Sequence, residues 1–143
     1  MTPERSGAVD RSGGTSDAPR PAFETTRGVR VPSVTAAEMR AVDQAAVDDV
    51  GLPLLSMMEN AGRNLAKASR AVVGGLPQDV AVLAGGGGNG GGGLAAARHL
   101  ANHGTDVTVV LDRVRDALEG APASQAAALD ATDATLVHGD GAV

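Results

Sequence analysis

The chain has 143 residues, of which 43% are hydrophobic and 20% charged, and its formal net charge is −5. It contains no cysteine, which excludes disulfides and thiolate chemistry, and Phe23 is its only Phe, Tyr or Trp. An acidic chain so poor in aromatic residues offers neither a basic surface nor a stacking platform for nucleic acid. No apolar segment approaches the ~20 residues of a membrane span, and the N-terminus lacks the apolar core of a secretory signal. We therefore expect a cytoplasmic protein with one folded domain and no nucleic-acid or membrane partner.

Residues 1–30 are rich in Gly, Ser, Thr, Pro and Arg and show no hydrophobic period. Such a segment cannot bury enough apolar surface to offset the conformational entropy lost on ordering. We predict a disordered tail over residues 1–30, followed by the folded domain over residues 31–143.

A first helix is predicted to begin at Thr35, because Thr35 and Glu38 have the spacing of a capping box. Apolar residues then recur at helical spacing until Gly51, at Met39, Val42, Ala46 and Val50. A second helix is predicted to follow Pro53. Its apolar stripe comprises Leu54, Met58, Ala61, Leu65, Ala68 and Val72. We interpret Met57 and Met58 as core residues rather than ligands.

Three short apolar segments follow, and helical segments separate them. Residues 79–84 form a continuous apolar run, which is typical of a strand buried on both faces. Helices are predicted over residues 94–103 and 124–130, and further strands over residues 107–111 and 135–137. This order predicts an α/β protein, with a Rossmann-like three-layer fold, a mainly parallel sheet and two preceding packing helices. The sheet would be incomplete, because in doubly wound folds the first strand has a further neighbour; here it would form an exposed edge.

The segment A-G-G-G-G-N-G-G-G-G, residues 84–93, lies between the first strand and the next helix. We call it the glycine stretch. A helix N-terminus carries unpaired amides and a partial positive charge, and glycine lets a phosphate approach the backbone. The pattern G-x-G-x-x-G is met trivially in such a run, so a nucleotide-binding loop and a structural turn or spacer both remain open. Asp112 lies at the end of the next strand, where it could accept a hydrogen bond from a ribose hydroxyl. A solvated residue at a strand end is the alternative.

His99 and His103 lie four residues apart on one predicted helix and could present two nitrogens to a metal. No third ligand is evident near them in the sequence. Histidines that face solvent or are half-buried are the favoured interpretation.

Several segments together resemble the NAD(P)H-hydrate epimerases, the YjeF N-terminal domain family. They are T-A-A-E-M-R at 35–40, L-S-M-M-E-N-A-G at 55–62, and the glycine stretch continuing into A-A-R-H-L at 96–100. The family loop typically reads G-P-G-N-N-G-G-D-G-L. Asn89 matches its second asparagine, whereas Gly86, Gly88 and Gly92 replace its proline, first asparagine and aspartate. The resemblance covers roughly residues 33–112.

The resemblance implies a Rossmann-like sheet and an isomerase that interconverts the R and S epimers of hydrated NADH and NADPH in nucleotide repair. The hydrated nucleotide would be the substrate, and a dehydratase would act on one epimer. The alternative is a catalytically inactive, truncated module of the same fold that binds a nucleotide or acts as a scaffold by forming a homodimer.

The residues implied to hold the nucleotide are Gly88, Asn89, Gly90, Gly91 and Gly92. Asn89 would also supply an oxygen to a bound potassium ion, since hard cations take oxygen ligands. Asn60 is a weaker candidate, with an ordinary helical position as its alternative. No residue matches the family's catalytic aspartate, and Asp140 lacks its motif. The catalytic residues are expected beyond residue 143, so the chain resembles the N-terminal half of such a domain.

Overall fold

The computed structural model describes residues 22–139, which divide into two units between Arg40 and Ala41. The strands are β1 (Ala22–Glu24), β2 (Arg30–Pro32), β3 (Asp79–Ala84), β4 (Asp106–Leu111) and β5 (Thr135–His138). The helices are α1 (Ala36–Asp48), α2 (Leu54–Val72), α3 (Gly88–Ala101) and α4 (Gly120–Leu129), and a 3₁₀ turn covers Arg115–Ala117. The fold class is thus mixed α/β, as the sequence predicts.

In the first unit, β1 and β2 form an antiparallel hairpin in which Ala22 pairs with Pro32. The Thr25 amide donates to the Val29 carbonyl over 2.9 Å, the Val29 amide donates to Thr25 Oγ1 over 3.0 Å, and Gly28 has a φ of 76°. The prediction of a disordered tail is therefore wrong over residues 22–30. Strands of three residues show no hydrophobic period, and the turn's hydrogen bonds hold them. The rest of the predicted tail, residues 1–21, lies outside the described residues.

The first helix begins at the predicted capping box. The Thr35 amide donates to Glu38 Oε2 over 2.7 Å, and the Glu38 amide donates to Thr35 Oγ1 over 3.2 Å. After α1, Gly51 takes a φ of 72°, which ends the helical run where the sequence places its stop. None of the residues of α1 is buried, so its predicted apolar stripe does not form a core face.

In the second unit, β3, β4 and β5 form a parallel sheet with β3 at one edge, as expected of an incomplete sheet. Asp79 pairs with Asp106 and Ala84 with Leu111, while Thr108 pairs with Thr135. Val107, Val109 and Leu111 of β4 are buried in the core. Leu83 points to the opposite face and is 82% exposed. The expectation that β3 is buried on both faces is therefore wrong: Asp79, Ala81 and Leu83 are exposed, and β3 has a neighbour on one side only in the described sheet.

Small aliphatic side chains fill the core between the sheet and its helices. Leu94, Val107, Val109, Leu111 and Leu129 are its largest fully buried members. Alanines from α2, α3 and α4 occupy the space between them. This agrees with a composition almost without aromatic residues. Among the helices that the structure describes, none combines the length and apolar character needed to span a bilayer.

Helix α2 packs against α3 mainly through small residues, and of its predicted apolar stripe only Met58 is buried. Its buried residues are Met58, Gly62 and Ala66, whereas Leu65 is 51% and Val72 87% exposed. A Cβ on Gly62 would lie 2.8 Å from the Gly92 carbonyl oxygen and 2.9 Å from the Ala96 amide nitrogen. The two backbones thus approach too closely for larger side chains. Periodicity selects the most hydrophobic residues of a helix, whereas a close contact between two helices requires small ones, and this is why the predicted stripe differs from the buried face.

Helix α3 is longer than the sequence predicts. It begins at Gly88 rather than at Leu94, so its first turns read G-N-G-G-G-G. Glycine in a helix costs roughly 1 kcal/mol relative to alanine, which is why the sequence alone indicates a loop here. Tertiary contacts offset that cost, because Met58 of α2 packs directly on the backbone of Gly91. A Cβ on Gly91 would lie only 2.7 Å from Met58 Cε. The segment is helical because α2 packs over it.

We predict that Gly62→Ala lowers the free energy of unfolding by about 2 kcal/mol or more, because the added methyl group forces α2 and α3 apart. Gly92→Ala is the matched control, since a Cβ there would have nothing within 4 Å. It should raise the free energy of unfolding by about 0.5–1 kcal/mol through helix propensity. Urea denaturation of both variants measures the difference. Equal effects in the two variants would show that the α2–α3 contact is not close.

Candidate functional site

Three glycines connect β3 to α3 at the carboxyl edge of the sheet. Residues 85–87, which we call the glycine turn, end at Gly87, the N-cap of α3, with extended backbone (φ −92°, ψ −172°) and no side-chain capping bond. Helix N-termini of this kind expose amide groups and carry a partial positive charge. A Cβ on Gly90 would lie 2.5 Å from the Gly85 carbonyl carbon, so the turn folds tightly against the helix. Backbone amides at such a helix start are the groups with which proteins bind phosphates and other anions.

The five glycine-stretch residues implied to bind nucleotide differ in their surroundings. Gly88 and Asn89 are exposed at the start of α3, whereas Gly90 and Gly91 are buried and Gly92 is half-buried. Gly90 packs against the glycine turn and Gly91 against Met58. Solvent, and hence a ligand, reaches Gly88 and Asn89 most directly.

Two departures from the typical family loop leave open space. A Cβ on Gly88 or on Gly92 would have nothing within 4 Å. At Gly86 the space is occupied, because a Cβ there would lie 2.5 Å from Arg113 Nη1. The structure therefore accommodates side chains at residues 88 and 92 and excludes one at residue 86 while Arg113 holds its position.

Asp112 and Arg113 lie beside the glycine turn. The Asp112 amide donates to the Ala84 carbonyl over 3.1 Å, which places the end of β4 next to the end of β3. Arg113 donates to Asp112 through Nε over 2.7 Å and through Nη2 over 3.0 Å. These hydrogen bonds lower the pKa of the Asp112 carboxyl, and the Gly86 amide lowers it further. Sequence reasoning singled out Asp112 but missed Arg113, whose only signal is its place directly after that acid.

A second polar cluster lies between α2, α3 and α4, centred on Glu59. Arg98 donates to Glu59 Oε1 over 2.6 Å and to Oε2 over 2.5 Å. His99 Nε2 lies 2.7 Å from Glu59 Oε1, and Gln125 Nε2 donates to Oε2 over 3.3 Å. The Arg98 hydrogen bonds lower the pKa of Glu59 from its usual 4.5 to about 2; burial opposes the shift, and His99 and Gln125 add to it. Glu59 is thus a carboxylate that joins three helices.

Asn60 faces this cluster rather than the glycine turn. It lines a cleft of about 440 Å³ together with Leu55, Ser56, Glu59, Arg98, Ser124, Gln125 and Ala128. Its Oδ1 accepts a hydrogen bond from Arg63 Nη2. Asn60 lies within α2.

The two histidines line a different surface. His99 contacts Glu59, and His103 Nδ1 lies 2.7 Å from the His99 carbonyl oxygen. Both line a cleft of about 230 Å³ with Arg63, Lys67 and Arg70 of α2, which we call the basic cleft. Within residues 22–139, no three His, Cys, Asp or Glu side chains are grouped as metal ligands.

The surroundings of Asn89 do not by themselves fit a potassium ion. A hard cation takes several oxygen ligands, and the positive end of a helix dipole disfavours it. Asn89 is exposed in the first turn of α3 and brings one side-chain oxygen. Potassium binding therefore remains a prediction.

A protein-family model described as "YjeF-related protein N-terminus" matches residues 54–141, more than half of the chain. The chain belongs to this family. The match begins with α2 and includes the glycine stretch and the whole parallel sheet.

YjeF-related proteins with curated names align over the same region. The NAD(P)H-hydrate epimerase of Dehalogenimonas lykanthroporepellens is 46% identical over 91 residues, which are 62% of this chain and 37% of that protein. The bifunctional NAD(P)H-hydrate repair enzyme Nnr of Thermofilum pendens is 42% identical over 83 residues, 58% of this chain and 16% of that protein. The Salinibacter ruber Nnr is 40% identical over 88 residues, 61% of this chain and 16% of that protein. The chain spans well under half the length of these relatives.

The crystal structure of yeast ynu0 has a similar fold. It superposes with a TM-score of 0.63 at 24% identity, covering 76% of this chain and 48% of the yeast chain. This likeness supports the fold alone.

Two of the YjeF-like motifs prove to contact each other. Glu59 and Gly62 belong to M-E-N-A-G on α2, and Arg98 and His99 belong to A-A-R-H-L on α3. Ion pairing joins Glu59 to Arg98, and close packing joins Gly62 to α3. In this YjeF-related chain, the two motifs hold α2 against α3 and thereby position the start of α3.

We predict that Glu59→Gln lowers the free energy of unfolding by about 1–2 kcal/mol at pH 7, after allowance for solvent screening of a partly exposed pair. Because the folded pKa lies below the unfolded one, the stabilisation is present above about pH 4.5 and is lost as the pH falls towards 2. The difference between wild type and variant should therefore narrow between pH 5 and pH 3. Denaturant unfolding across this range measures it.

Asp133→Asn is the control, because Asp133 is an exposed carboxylate in the connection between α4 and β5. It should change the unfolding free energy by less than about 0.5 kcal/mol. An identical pH profile in wild type and Glu59→Gln would contradict a stabilising role for the Glu59 cluster.

Proposed function

We propose that the chain provides the nucleotide-binding half of an NAD(P)H-hydrate epimerase-like protein. In this proposal it takes part in interconverting the R and S epimers of hydrated NADH and NADPH, a step of nucleotide repair that serves a dehydratase. The support is family membership and the names of the relatives. We assign no catalytic residue, because Asp140, the nearest acid by position, lies outside the described residues and lacks the family's motif.

The observation that carries the proposal is the uncapped start of α3 immediately after β3. The Gly86 amide already donates to the Asp112 carboxylate, but no side-chain hydrogen bond caps the start of α3, so the amides of its first turn are available to a ligand. A pyrophosphate is an anion of suitable charge for such a helix N-terminus. The exposed Gly88 and Asn89 would contact the phosphates, with the Asn89 amide group able to donate and accept hydrogen bonds. Potassium ligation by Asn89 is part of the proposal only together with oxygen ligands from elsewhere, because Asn89 brings one side-chain oxygen and a hard cation takes several.

A catalytically inactive binding or scaffold module of the same fold is the second candidate. Two observations favour it: β3 is an unpaired edge of the described sheet, and Leu83 on that strand is 82% exposed. Exposed apolar edge strands promote association with another chain. Such a module could bind a nucleotide, or dimerise, without carrying out the epimerisation.

The phosphate site is tested by adding one negative charge at its entrance. Gly88→Asp should weaken binding of NADP⁺ by about tenfold, because a carboxylate beside the helix N-terminus repels the phosphates. Gly75→Asp is the matched control, since both glycines have open space and Gly75 lies in the connection before β3. Isothermal titration calorimetry measures both affinities. Equal affinities in the two variants would place the phosphates elsewhere.

Activity is tested by mixing the chain with both epimers of hydrated NADH, a dehydratase specific for one epimer, and potassium. If the chain is an epimerase, both epimers are consumed completely, because the unreactive one is converted continuously. Absorbance of the regenerated NADH at 340 nm reports the extent. Consumption that stops at one epimer, together with retained nucleotide binding, would support the inactive module instead.

A further inference from the structure

Arg113 occupies the position next to the site where a dinucleotide's adenosine ribose would lie. In parallel βαβ units with a glycine turn, the acid at the end of the second strand meets the ribose 2′ hydroxyl, and a nearby arginine accommodates a 2′ phosphate. Here β3, α3 and β4 form such a unit, and Asp112 directly follows β4. Both residue types that distinguish the two riboses are therefore adjacent in this chain.

The glycine turn is shaped around the guanidinium of Arg113. A Cβ on Gly86 would lie 2.5 Å from Arg113 Nη1, closer than side-chain atoms pack. Any other residue at position 86, including the proline of the typical family loop, would displace Arg113 from the turn. Gly86 and Arg113 are thus sterically coupled, and the glycine allows a cation to sit beside the anion-binding backbone.

The local charges favour a phosphate over a hydroxyl. Arg113 donates to both carboxylate oxygens of Asp112, which neutralises the acid that would otherwise repel a phosphate. Only two of the guanidinium's five N–H groups serve Asp112. The side chain of Arg113 is 44% exposed, so a ligand can reach the others.

We propose that Arg113, seated against Gly86, binds the 2′ phosphate of the adenosine ribose and makes the chain prefer the phosphorylated dinucleotide. The inference rests on the proposed function, since it assumes that the glycine turn holds a dinucleotide. It assigns a specificity-determining residue that contacts the substrate far from its reacting nicotinamide ring.

The test compares the affinities of the full chain for NADP⁺ and NAD⁺ by calorimetry. Wild type should bind NADP⁺ about tenfold more tightly, as expected of charge-assisted hydrogen bonds at a partly exposed site. Arg113→Ala should reduce this ratio to about one or below, because the unpaired Asp112 carboxylate then repels a 2′ phosphate. Gly86→Ala should also reduce it, because the methyl group displaces the guanidinium while the charge is retained.

Arg115→Ala is the control, since it also removes one arginine charge. Arg115 lies in the 3₁₀ turn and pairs with Asp130 rather than with Asp112. The ratio of this variant should equal that of wild type. Equal binding of NADP⁺ and NAD⁺ by wild type, or an unchanged ratio in Arg113→Ala, would overturn the inference and leave the proposed function standing. Binding of neither nucleotide by wild type would overturn both.

Discussion

The close approach of α2 to α3 is the contact on which the rest of the second unit depends. Gly62 lets the backbone of α2 lie directly on α3, and the Glu59–Arg98 ion pair fixes the two helices in register. Because α3 also contacts the sheet through Leu94 and Leu100, it transmits that register to the core. The first turns of α3, which have poor intrinsic helix propensity, are held in helical form by this packing.

Binding and stability make opposite demands on the start of α3. Glycine exposes backbone amides to an anion, but each glycine weakens the helix that presents them. The chain separates these demands by position: Gly90 and Gly91 face the turn and Met58, while Gly88 faces solvent. Glycines that look equivalent in the sequence therefore serve either packing or ligand access.

The sequence predicted the elements better than it predicted their faces. The Thr35 capping box, the parallel strands and the turn before α3 follow from local signals, and the structure confirms them. The burial of Gly62 instead of Leu65 could not be predicted, since it depends on a helix about 30 residues further along the chain. The hairpin at residues 22–32 and the contact of Arg113 with Gly86 likewise could not be predicted from hydrophobic periodicity, because they depend on turn hydrogen bonds and tertiary contacts. Asp112 could be predicted because an acid at the end of the second strand has a known spacing from the glycine turn. No comparable sequence spacing points to the cluster around Glu59.

The central claim is that α2 positions the start of α3 to bind the phosphates of a nucleotide. Amide chemical shifts of the ¹⁵N-labelled chain during a titration with NADPH test it most directly. The account predicts that the largest changes occur at residues 86–89 and at Asp112 and Arg113, with small changes at Lys67 and Arg70. Changes concentrated in the basic cleft around Lys67 and Arg70, with residues 86–89 unaffected, would contradict it.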